Sequence, residues 1–113
     1  MTTIDVPATT TVPTLTAAEI LTNAAALIEE RGHCKRSLKD GDGRLCMVGA
    51  LNMASFGVPF LNPGQIFNFN AYSTACGALD RVLRTQAHSQ WNDAPERTPD
   101  EVIAALRRAA RFA

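Results

Sequence analysis

The sequence predicts a mainly α fold: a compact four-helix domain with a small β-hairpin between the first two helices and an extended N-terminal tail. Three observations carry that expectation. Two segments open on a threonine followed three residues later by a glutamate, Thr16 to Glu19 and Thr98 to Glu101, and both continue with apolar residues at helical spacing. A double Asp-Gly pair, Asp40-Gly41-Asp42-Gly43, marks one tight reversal. The chain has no alternation of strand and helix patterns of the kind that builds a parallel sheet.

The elements follow in order. Residues 1–15 read as the tail: seven of the first sixteen residues are threonine and two are proline. Such a segment buries too little apolar surface to offset the entropy lost on ordering. It has no basic region and no continuous apolar stretch, so it is not a secretory signal. Residues 16–113 read as a single helical domain. In its first helix Ile20, Ala24, Leu27 and Ile28 share one face, and Gly32 follows Arg31 as a stop. The polar connection 33–44 is expected to form the hairpin, Cys34 to Leu38 running in and Arg44 to Met47 running out. Two strands alone are marginal and would need helices beneath them.

From Leu45 to Leu79 there is no Asp, Glu, Lys, Arg or His across 35 residues. This run is expected to be sheltered from water. "LCMVGALNMASF" reads as a buried helix ended by Gly57 and Pro59, "LNPGQIFNFNAYS" as a turn-rich loop, and "AYSTACGALDRVLRTQ" as a third helix. Asn52, Ser55, Gly57 and Pro59 interrupt the run too often for a membrane span, which needs about 20 apolar residues. "HSQWNDAPERT" reads as a connection in which Trp91 anchors on the core while Asn92 and Asp93 satisfy local backbone amides. The last helix carries a first-position Pro99, a stripe of Val102, Ile103, Leu106, Ala109 and Ala110, and Arg107, Arg108 and Arg111 near its C-terminus.

Composition narrows the chemistry. The 11 basic and 11 acidic side chains balance, and each half of the chain is within one charge of neutral, so a dedicated nucleic-acid or anionic-membrane binder is not expected. Three cysteines, Cys34, Cys46 and Cys76, have no paired spacing and suit a reducing cytoplasm better than a disulfide framework. His33, Cys34, Cys46, Cys76 and His88 lack the close pairs of a structural zinc site. The Asp-Gly pairs fail as an EF-hand: with Gly43 at the sixth loop position, Leu38 and Gly49 fall where acidic ligands are needed. The nucleotide-loop signature is absent. No catalytic residue, cofactor or metal site is therefore expected.

Five of the seven aromatic side chains, Phe56, Phe60, Phe67, Phe69 and Tyr72, fall within seventeen residues. They suit either a cap on the helical core or an exposed apolar patch rimmed by asparagines. "GHCKRSL…DGDGRLCMVGAL" followed by "WNDAPERTPDEVIAALRRAA" resembles a family of small uncharacterised proteins from actinobacteria and their phages, over residues 16–111. The resemblance implies no activity, cofactor or functional residue; it does suggest an actinobacterial or bacteriophage origin.

The functional expectation is a non-enzymatic, cytoplasmic accessory or regulatory protein that acts through protein–protein contacts, phage-encoded in the reading the resemblance favours. Phe60, Phe67 and Phe69 are its candidate interaction surface, meeting an unidentified protein partner or a second copy, with no membrane and no nucleic acid. The alternatives are a small cysteine-dependent enzyme or redox protein centred on Cys34 with His33 and His88, and a weak nucleic-acid binder using the arginines of the last two helices.

Overall fold

A computed structural model describes residues 14–60, 68–84 and 86–113. They form a mainly helical, compact globule of five helices: α1 (Ala17–Arg31), α2 (Met47–Phe56), α3 (Phe69–Leu83), α4 (His88–Asp93) and α5 (Pro99–Ala110). Residues 1–13 of the expected tail lie outside the described residues.

Local chemistry sets the clearest helix ends. Thr16 Oγ accepts the Glu19 amide at 3.1 Å while Glu19 Oε1 accepts the Thr16 amide at 2.8 Å. Thr98 and Glu101 repeat this reciprocal cap at 3.2 and 2.9 Å. Gly57 ends α2 in the left-handed conformation, φ 80°, and its amide returns to Met53 O. At Gly49 the reason for glycine is space: a Cβ there would fall on the Leu38 carbonyl.

Helix α1 is the hub, packing on α5, α2 and α3. Ile20, Leu21, Ala24, Ala25 and Ile28 meet Leu45 from the α1–α2 connection, Met47, Ala50 and Leu51 from α2, Ala75 and Leu79 from α3, and Val102, Leu106 and Ala109 from α5 in one apolar core. Trp91 packs against this core, as the sequence suggests, and the Arg97 guanidinium lies 3.8 Å from the centre of its ring.

Two expectations are corrected. The first is the hairpin. No strand forms among the described residues; Leu45 makes two isolated bridges, one parallel to His33 and one antiparallel to Lys39. The turn itself is as expected, with Gly43 N–H donating to Asp40 O and Asp40 N–H to Arg44 O. Pairing fails to propagate because the incoming segment bends at Arg36, φ 66°, and because Cys46 at once becomes the cap of α2. Leu45 is thus clasped between two short segments of one connection. The second correction is the helix count. "HSQWND", read as part of a connection, makes the single short turn of α4. It carries no side-chain cap and only six residues, so its sequence offered little helical signal.

The uncharged run divides. In α2 most side chains are buried, in keeping with the expectation. On α3, however, Phe69, Asn70, Ser73, Thr74 and Gly77 are exposed. Absence of charge therefore marks a core on one helix and a neutral outer face on the other. No described helix is long and apolar enough to cross a membrane.

Candidate functional site

The end of the molecule where α2 stops and α3 begins is held by amide side chains. The left-handed Gly57 turns the chain back, so that Pro59 O accepts Asn52 Nδ2–H at 3.1 Å. Asn68, just before α3, donates from Nδ2 to Ser55 O at 3.1 Å and accepts the Leu15 amide on Oδ1 at 3.2 Å. One buried side chain thereby joins the end of α2, the start of α3 and the entry to α1.

Aromatic rings sit on this frame. Phe56 is buried and its ring centre lies 5.0 Å from that of Tyr72. Phe69 is 6.2 Å from Tyr72 on the other side. Burial pushes the Tyr72 hydroxyl well above its ordinary pKa. Phe60 is 51% and Phe69 45% exposed, two of the four large apolar side chains left open to water among the described residues. The aromatic cluster is therefore part core and part surface. Phe67, the third residue of the predicted surface, lies outside the described residues.

The Cys34 region has a different organisation. The Cys34 thiol is buried and faces two carbonyl oxygens, Ser37 O at 3.3 Å and Arg44 O at 3.2 Å. Burial, reinforced by the neighbouring Cys46 and Asp40, pushes its pKa up to about 11. A thiol in this setting is held protonated, opposite to what a nucleophile needs. His33 turns away to Asn92, Nε2 donating to Oδ1 at 2.7 Å, and His88 pairs with Asp80 at 2.7 Å. Neither imidazole shares a hydrogen bond with Cys34. Among the described residues no group of three metal-binding side chains converges.

Several basic side chains have partners within the molecule. Arg44 is clasped by Asp40 at 2.6 Å and Asp42 at 3.2 Å. Lys35 donates to Ala94 O at 2.7 Å and Pro95 O at 3.1 Å. Arg107 meets Glu29 at 2.9 Å, and Arg81 lies 5.1 Å from the Phe112 ring centre.

Asn92 is the residue whose importance the sequence concealed. It is fully buried, and its partners are distant in the chain rather than local. Oδ1 accepts the Met47 amide at 3.0 Å as well as His33, and Nδ2 donates to Cys34 O at 3.1 Å and to Asp93 Oδ1 at 2.9 Å. Asp93 in turn accepts the Arg36 amide at 2.9 Å, which holds its carboxyl below the ordinary range. An asparagine in a polar stretch carries no periodic signal, so only a second reading of "WND" as a long-range hub could have found it.

A model of the family of unknown function DUF6197 matches residues 12–112. No curated protein and no solved structure matches the chain.

Proposed function

The chain belongs to the family DUF6197, and because that family is of unknown function, we propose a reading from its own surface: a non-enzymatic accessory or regulatory protein that works by docking another protein. The observation that carries it is the exposure of Phe60, just past the end of α2, and of Phe69, the outer ring of the aromatic stack at the start of α3. Burying a phenylalanine from water contributes roughly 1.5–3 kcal/mol. About half of each ring is still in water, so a partner stands to recover on the order of 1 kcal/mol per ring. Buried anchors in a protein interface are typically aromatic, with polar groups around them. Asn70, Ser73 and Thr74, exposed and uncharged beside Phe69, supply such a rim with little desolvation cost.

The arrangement around Cys34 supports this reading over a cysteine-dependent enzyme, because the thiol's hydrogen bonds run to carbonyls rather than to a base. The overall charge is balanced, and Arg107 of the last helix is paired with Glu29.

The test compares the natural chain with the Phe60→Ser/Phe69→Ser double variant in capture from cells of the source organism, alongside sedimentation of each alone. The expected result is a protein, or a second copy, retained by the natural chain and lost by the variant, with both chains still folded. Equal retention by both chains would remove the aromatic end from consideration.

A further inference from the structure

We infer that Cys34 and Cys46 form an oxidisable pair, joined as an intrachain disulfide when a hydroperoxide reaches the N-terminus of α2. Backbone geometry carries the inference. Cys34 N–H donates to Leu45 O at 3.1 Å and Leu45 N–H donates to Gly32 O at 3.1 Å, the two bonds of a parallel rung between His33 and Leu45. One residue further along both segments stand Cys34 and Cys46. Cys46 is itself extended, φ −83° and ψ 174°, the last such residue before α2; no further rung forms, and the two cysteines are the next residues on the paired segments.

Neighbouring strands lie roughly 5 Å apart, and a disulfide joins Cα atoms separated by about 4.4–6.8 Å. Residues alternate faces along an extended segment, so both cysteines lie on the face opposite His33 and Leu45. The Cys34 sulfur already reaches the returning segment, 3.2 Å from Arg44 O. Cys76 belongs to α3 and has no place in this rung.

The two thiols divide the labour. Cys46 Sγ caps α2, accepting the Gly49 amide at 3.3 Å, and lines a shallow hollow with Ser37, Leu38 and Ser89 through which a small oxidant can approach. Burial raises its pKa, but the Gly49 and Val48 amides oppose that rise. Cys34 has no such helix-end amides and is the resolving thiol. The Cys46 thiol gives up its proton as its sulfur attacks one hydroperoxide oxygen; the O–O bond breaks, and the departing alkoxide takes up that proton as an alcohol. Cys34, held protonated by its burial, passes its proton to the sulfenic oxygen as its sulfur attacks Cys46 Sγ; the S–O bond breaks, and the oxygen leaves as water. Two thiols lose two electrons, and the hydroperoxide accepts them. The new bond draws the Cys46 sulfur from Gly49, so oxidation staples the α1–α2 connection while weakening the α2 cap.

The test treats the full chain with hydrogen peroxide, then denatures it, alkylates free thiols and maps the peptides. The expected result is loss of two of the three alkylatable thiols, with Cys34 and Cys46 in one linked peptide that dithiothreitol releases. The Cys76→Ser variant should behave as the natural chain, and Cys46→Ser should leave Cys34 alkylatable. The inference is overturned if all three thiols still alkylate, if the linked peptide contains Cys76, or if Cys46 proceeds to the sulfinic acid while Cys34 stays free. Mapping the natural chain decides the matter even where a variant folds poorly.

Discussion

The side-chain oxygen of Asn92 receives the Nε2 proton of His33 at 2.7 Å across 59 residues of sequence. The same oxygen receives the Met47 amide at the start of α2, and the amide nitrogen serves the Cys34 carbonyl. This one side chain therefore binds α4 to both arms of the α1–α2 connection. Without it, backbone groups of a connection that lacks strands would be buried and unpaired.

Replacing Asn92 by alanine should accordingly be among the costliest single changes. It strands the Met47 amide and the Cys34 carbonyl, and each unsatisfied buried group costs about 1–3 kcal/mol. The expected loss is about 3 kcal/mol, read from urea unfolding. A loss under about 1 kcal/mol would mean that water takes over these bonds.

Two glycines should respond in opposite directions. Gly77 lies within α3, and a Cβ there would meet nothing within 4 Å. Gly77→Ala should therefore stabilise by up to about 1 kcal/mol through helix propensity. Gly49→Ala drives a methyl into the Leu38 carbonyl and should destabilise by at least about 2 kcal/mol. Thermal unfolding of the pair separates the effects by sign alone.

Acid should weaken the fold through two carboxylates. The Arg36 amide lowers the pKa of Asp93 from its ordinary 3.8, and the Thr98 amide lowers that of Glu101 from 4.5. A carboxylate whose pKa is lower in the folded chain contributes stability that is present above the unfolded value and lost as pH falls through the folded one. Urea midpoints should hold down to the ordinary carboxylate range and drop below it. Asp93→Asn should flatten part of that acid limb; an unchanged profile would show that Asp93 does not contribute to it.

The exposed rings should matter more to association than to folding. Phe60→Ser and Phe69→Ser are expected to cost no more than about 1 kcal/mol, since about half of each ring is already in water. Phe56→Ala, in the buried part of the same cluster, should cost about 3 kcal/mol or more. Chemical denaturation of the three variants checks whether the cluster divides there.

What could be read from the sequence was local. The ends of α1 and α5 are legible because a threonine cap and a glutamate three residues on act within one helical turn. Gly57 was legible as a stop because a left-handed residue is nearly always glycine. The exposed ring of Phe69 and the buried ring of Phe56 were indistinguishable, since both are phenylalanines in the same uncharged run and only their helix faces differ.

By itself, then, the chain determined which of the longer segments are helical, where two of them begin, and which stripes form the core. Tertiary structure alone decided that Leu45 would pair with two segments instead of building a hairpin, that Asn92 would serve groups 45 to 59 residues away, and that one half of a neutral run would face water. The physical reason is range. Caps, turns and apolar spacing act over a few residues, whereas pairing of buried polar groups and exposure of a ring depend on which distant segment arrives beside them.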